Sequence, residues 1–207
     1  MTLNLFDASS LPPGLTVHQK VSLVQWLSGE RQILEGWVEG FNDRDGKFAN
    51  EFQSTFHSSF FELYLFALLK AQEMTVDLTR SRPDFLVTAP DPIVIEAVTS
   101  GIRADGRPEE DRDFEDVISM FTPPWKSGDF EQHLAESIVR YSNAICKKAL
   151  KYHGSYSQLP WVPAHAPYVI ALGSSSQVNY GREYHYGIVA LLFGSMFDAQ
   201  TRQNRRV

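Results

Sequence analysis

The sequence predicts an α/β fold in which a small mixed sheet is flanked by helices, with a helical extension at the N-terminus. Stretches with apolar residues every three or four positions alternate with short, nearly continuous apolar runs. Their order is helix–helix–β–β–β–helix–β–helix, with no internal repeat or low-complexity tract. At 207 residues the chain is long enough for one well-filled core. The extension is placed at 1–46 and the main domain at 47–207.

Residues 17–42 carry Val21, Leu23, Val24 and Leu27, then Ile33, Leu34, Trp37, Val38 and Phe41, at helical spacing. Ser28-Gly29 is the point where this stretch divides into two helices. A further helix is expected from about Phe52 to Gln72. "TVDLT" (75–79) reads as a short strand, and strands follow near 84–88 and 92–99, joined through the tight turn "APDP". The acidic, proline-containing segment 101–128 reads as a loop or flap. A long helix is expected over about 130–152, a loop over "SYSQLPWVPAHAP" and a buried strand at "YVIALG" (168–173). "YHYGIVALLFGSMF" reads as a closing helix.

Composition excludes several classes. With 43% apolar and 21% charged residues, neither a disordered nor a collagen-like chain is expected. No apolar run reaches membrane-spanning length and the N-terminus lacks a signal-peptide pattern, so a cytoplasmic protein without a membrane partner is expected. The single cysteine, Cys146, makes no internal disulfide or cysteine-based zinc site and reads as a packed helix thiol. Net charge is −6, which argues against a broad nucleic-acid-binding surface. The stretch 105–116 holds seven acids and two arginines, a local −5, so the remainder sums to about −1 and a locally basic site fits.

Two acids stand at the edges of apolar runs. Asp84 opens "PDFLV" and Glu96 closes the core of "IVIEAVT". If the two runs pair as a hairpin, both carboxylates lie near one end of the sheet, where their repulsion is relieved by a divalent cation. The alternative is an Asp capping a turn after Pro83 and a Glu paired with Arg80 or Arg82. On the preceding helix, Glu51, Thr55, Ser58 and Glu62 fall on one stripe beside an apolar stripe of Phe52, Phe56, Phe60, Leu63 and Ala67. Glu62 projects from an almost wholly apolar neighbourhood; the alternative is an ordinary solvated face.

In combination, a helix Glu, then "PD" opening a strand, then a hydrophobic strand carrying a Glu, then a long helix and one more strand resembles the PD-(D/E)XK nuclease superfamily. The chain is also similar to an uncharacterised bacterial group bearing "NEFQ…F…SSFFELYLFALLK" ahead of "PDF". The resemblance covers about residues 47–173. It implies a restriction-endonuclease-like sandwich and an Mg²⁺- or Mn²⁺-dependent nuclease acting on nucleic acid, with DNA favoured. It also implies that Asp84 and Glu96 bind the metal, that the Ala97 carbonyl completes the site, and that Glu62 orients ligands or water. Such chemistry needs an activated water and a cation at a non-bridging oxygen, and Mg²⁺ needs few carboxylates.

The family's lysine, two places after the Glu, is Val98 here. Either the chain is a degenerate member that binds nucleic acid without turnover, or another cation fills the space. On the long helix, Leu134, Ile138, Tyr141, Ile145, Ala149 and Tyr152 form an apolar stripe, with Lys148 at its border, in reach of the sheet. A snorkelling lysine is the alternative for Lys148. Arg140, Lys147 and Lys151 lie roughly opposite and read as a solvated, phosphate-facing edge. The six histidines lack metal-ligand spacing, and "LGSSSQ" lacks the Lys-Ser/Thr of a phosphate loop. "GREYHYG" reads as a protomer interface, which fits a homo-oligomer; the net charge of −6 and the acidic segment 105–116 give the other alternative, a protein-interaction subunit of a larger bacterial assembly.

Overall fold

The computed structural model of the chain describes residues 3–6, 28–101, 115, 121–174 and 185–206. These form two compact units: the described residues of Met1–Val98 with Ala149–Ala171, and those of Thr99–Lys148 with Leu172–Val207.

In the first unit, helix α1 (Ser28–Trp37) is followed by α2 (Phe48–Ser54) and α3 (Phe56–Ala71). Residues 7–27 lie outside the described part, and with them the helix expected ahead of the Ser28-Gly29 break. The single helix expected over 52–72 is two helices meeting at Thr55. Thr55 leaves helical geometry here, with φ −126° and ψ 52°, although its N–H still reaches the Glu51 carbonyl at 2.7 Å. Thr55 Oγ1 donates to the same carbonyl at 2.9 Å and Ser54 Oγ to the Asn50 carbonyl at 2.9 Å. Such back-bonding competes with regular helical hydrogen bonds and bends the chain. The aromatic spacing nevertheless survives the break, because Phe48, Phe52 and Leu63 bury together with Leu5, Leu34 and Val38. The boundary expected at 46/47 therefore runs through a shared core. Phe52 is fully buried, with Phe56 and Phe6 packed edge-on against it.

α3 ends in a reverse turn that leads straight into the sheet. Met74 N–H donates to the Leu69 carbonyl and Glu73 N–H to the Lys70 carbonyl, each at 3.0 Å, with Glu73 left-handed at φ 56°. Strands β1 (Thr75–Asp77), β2 (Phe85–Ala89), β3 (Ile93–Thr99) and β4 (Tyr168–Gly173) form one sheet in that order. β1–β2 and β2–β3 are antiparallel. Val94 N–H donates to the Pro167 carbonyl and Ser100 N–H to the Gly173 carbonyl, so partners advance together and β4 runs parallel to β3. The sheet is mixed, as expected.

Both faces of the central strands are covered, which is why β2 and β3 read as continuous apolar runs. Phe85, Val87 and Ile95 meet Phe66 and Leu69 of α3 on one face. Leu86 and Val94 meet Val162, Ala166, Trp161 and Tyr152 on the other. Tyr152 belongs to α4 (Phe130–Gly154), the long helix expected from periodicity.

In the second unit Phe130 and Leu134 bury against Phe197. Helix α5 (Tyr186–Phe193) approaches α4 through Gly187, where an added Cβ would stand 2.3 Å from Ser137 Oγ. Tyr186 stacks on Phe197 at 4.3 Å, so this part of "GREYHYG" packs within the chain; residues 181–184 lie outside the described part. The closing helix is shorter than expected. It stops at Gly194, left-handed at φ 59°, and a hairpin of β5 (Ser195–Asp198) and β6 (Gln203–Arg206) follows. Asp198 Oδ1 accepts the Thr201 and Gln200 N–H groups in its turn, and these bonds hold its carboxyl below the ordinary range. Of the expected flap, 102–114 and 116–120 lie outside the described residues, and Pro124–Lys126 forms a 3₁₀ turn.

Candidate functional site

The register of β2 with β3 pairs Phe85 with Ile95, so the next step sets Asp84 opposite Glu96. Each carboxylate accepts a main-chain N–H from the other segment. Asp84 N–H donates to Glu96 Oε1 at 3.2 Å, and Ala97 N–H donates to Asp84 Oδ2 at 2.9 Å. This reciprocal clamp extends the ladder one step past the end of β2 with side-chain acceptors in place of carbonyls. It also explains why carboxylates occur at these edges: a charged acceptor satisfies an N–H strongly, by about 1.5–3 kcal/mol. Glu96 is 1% exposed and Asp84 is half-buried. Arg80 turns elsewhere, to Asp77 at 3.9 Å and over the Trp161 ring at 5.2 Å.

Asp84 and Glu62 line one cavity of about 200 Å³. That is far above the ~10–15 Å³ needed to seat a water. Its other wall is the loop "NDRDGK" (42–47) with Phe41, Phe48 and Glu51. The loop is tied down at several points. Asn42 Nδ2 donates to the Leu78 carbonyl at 3.3 Å, and an Arg44 guanidinium N–H donates to the Arg80 carbonyl. Asp43 accepts Lys47 N–H at 3.0 Å and Phe48 N–H at 3.1 Å, placing negative charge at the start of α2. Gly46 supplies the left-handed residue of the turn, φ 64°. Five acids (Asp43, Asp45, Glu51, Glu62, Asp84) and two bases (Arg44, Lys47) face the cavity, a balance of −3. Despite the break at Thr55, both ends of the Glu51–Glu62 stripe reach it.

Tyr168 is a neighbour that sequence reading passed over. Burial pushes its hydroxyl above the ordinary tyrosine value, and the negative charges of Glu96 and Asp84 push it the same way. The phenol thus keeps its proton and remains a donor beside the acid pair. Its ring stacks on Tyr152 at 3.9 Å. Lys47 and Arg44 were also missed; the Asn/Asp/Gly turn carrying two bases just ahead of a helix was the available signal.

The remaining expected residues lie on α4. Lys147 and Lys151 are exposed, and the Lys151 ammonium stands 5.1 Å from the Tyr156 ring centroid. Lys148 is half-buried, as its border position predicts, and does not line the cavity. Arg140 departs from the expected solvated edge. Its Nε–H folds back to the Glu136 carbonyl at 3.3 Å, and both Nη atoms are buried without a hydrogen bond. A helical wheel gives the angle of a side chain but not what covers it, so the flank around Arg140 was read as open.

A divalent cation fits the donor chemistry. Among the described residues no group of three or more acids, histidines or cysteines converges as a metal cage. Mg²⁺ does not require one: it binds through one or two carboxylates and keeps its waters. Asp84 and Glu62 supply that number facing a roomy polar cavity. Among the described residues no helix is long and apolar enough to cross a membrane. Comparison with family models, characterised proteins and solved structures found no match to this chain.

Proposed function

We propose that this chain is a metal-dependent nuclease that hydrolyses phosphodiester bonds of nucleic acid, with DNA the favoured substrate, on a restriction-endonuclease-like sandwich. The observation that carries the reading is the opening of Asp84 and Glu62 onto one cavity at the end of β2, with Asp84 clamped against Glu96 and Ala97. Asp84 and Glu62 would hold Mg²⁺ or Mn²⁺ here, since Glu96 and Ala97, which the resemblance implies as the other ligands, do not line the cavity. Glu96 fixes the main chain of Asp84 from behind and lies close enough to add its charge. When bound, the cation supplies Lewis-acid charge at a phosphate oxygen and acidifies a water.

The chain's own groups do the rest. The −3 balance of the cavity disfavours a phosphodiester, a charge that a bound cation would offset. Asp84 is held through its main-chain N–H by Glu96 and through its carboxylate by Ala97 N–H, which limits the reorganisation that substrate binding requires. Tyr168 stays neutral and adds no further negative charge.

Plasmid nicking tests the proposal. Cleavage should occur with Mg²⁺ or Mn²⁺ and not with EDTA, and Asp84→Asn and Glu62→Gln should each abolish it. Wild-type rates in both variants would place the chemistry elsewhere. The second reading, a nuclease-fold module that binds without turnover, is favoured by Val98 in place of a strand lysine. Duplex affinity that requires a divalent cation, with no nicking under any metal, would select it.

A further inference from the structure

We infer that Lys47 is the residue that engages the substrate phosphate in this site. The inference rests on the nuclease reading above.

Lys47 lines the same cavity as Asp84 and Glu62. Its backbone is fixed, since its N–H is held by Asp43 and the residue stands directly before α2. Its ammonium forms no ion pair or hydrogen bond among the described residues, whereas the other base of the cavity, Arg44, is committed to the Arg80 carbonyl. An exposed ammonium facing an acidic cavity, yet beyond ion-pair distance of every described carboxylate in it, leaves room for a bridging group. That group must be anionic toward Lys47 and neutralised by a cation toward Asp84 and Glu62. A phosphodiester with its divalent ion has this polarity, and an ammonium beside a phosphoryl oxygen stabilises the charge that develops there. Lys148, the expected source of this charge, does not line the cavity.

The experiment compares wild type with Lys47→Met, Lys47→Arg, Lys148→Met and Asp84→Asn. Single-turnover cleavage of a duplex is followed in Mn²⁺, and Mn²⁺ affinity is measured without DNA. Lys47→Met should lower the cleavage rate about 10²–10³-fold. Lys47→Arg should keep the rate within about tenfold of wild type because it retains the charge. Lys148→Met should cleave like wild type. Removing a positive charge near the cation should leave Mn²⁺ binding to Lys47→Met unchanged or a few-fold tighter, an outcome that damage to the site would not give. Cleavage by Lys47→Met within about threefold of wild type, or weakened Mn²⁺ binding, would overturn the inference while leaving the nuclease reading intact. Wild type that never cleaves, together with Mn²⁺ binding unaffected by Asp84→Asn, would overturn the nuclease reading and Lys47's role with it.

Discussion

Replacing Asp84 by Ala removes the acceptor that Ala97 N–H uses at 2.9 Å, at a half-buried position. An amide left without its acceptor there costs about 1–3 kcal/mol. Nearly all of that is expected to appear in stability, because Asp84 precedes β2 and its own N–H keeps Glu96 as partner. Asp84→Asn retains an oxygen acceptor of similar shape and loses only the extra strength of a charged one, about 1 kcal/mol. Repulsion between the two adjacent acids acts in the opposite direction. The clamp outweighs it in both variants. For a chain of this length about 2 kcal/mol corresponds to about 4–8 °C in Tm. Urea melts of the metal-free protein give the ranking, and amide hydrogen exchange at Ala97 localises it. The expected order of stability is wild type, then Asn, then Ala, with Ala97 protection lost in the Ala variant alone. Equal stability of all three with unchanged Ala97 protection would refute the clamp.

Other outcomes follow from the same structure. Gly187→Ala drives a methyl to 2.3 Å from Ser137 Oγ and should destabilise by about 1–3 kcal/mol; Ser137→Ala in the same chain should restore part of this, read by thermal melts. Tyr168 keeps its proton in the fold above the unfolded value of 10.0. Its stabilising contribution is therefore complete below about pH 10 and falls as pH rises past it, and Tyr168→Phe should flatten the decline in urea melts across that range. Lys147→Ala and Lys151→Ala should each lower duplex affinity and cut the salt slope by about 0.9, as contacts from exposed ammonium groups do, whereas Arg140→Ala should leave the slope unchanged. A slope unaffected by either lysine would remove that edge of α4 from the binding surface.

The strands were legible because both their faces are buried. "FLV" and "IVI" are continuous apolar runs, and their pairing through "APDP" puts Asp84 and Glu96 near one end of the sheet, where the register sets them opposite each other. α4 was legible for the complementary reason: an apolar stripe runs from Leu134 to Tyr152 along a helix of 25 residues. The break at Thr55 was hidden because Phe52, Phe56 and Phe60 keep helical spacing across it, while the hydroxyl residues at the break are ordinary helix-surface residues by composition. The C-terminal hairpin was hidden because β6, Gln203–Arg206, is exposed along its whole length and shows no alternation. Gly194 was its one signal. At the site, the acid pair follows from local register, but the cavity does not. The loop carrying Lys47 is distant from Asp84 in sequence, and the packing of Phe41 and Phe48 beside α3 brings it there together with the Asn42 and Arg44 bonds to the Leu78 and Arg80 carbonyls. Such long-range placement leaves no periodic trace in a single sequence.

The most direct test of the central claim is Mn²⁺ binding, measured by electron paramagnetic resonance on the metal-free protein. One Mn²⁺ per chain, displaced by Mg²⁺, should bind wild type. Asp84→Asn and Glu62→Gln should each weaken it by tenfold or more, about 1.4 kcal/mol or above, and Glu96→Gln by less. Absence of binding to wild type, or equal binding to wild type, Asp84→Asn and Glu62→Gln, would contradict the assignment of this cavity as a cation site.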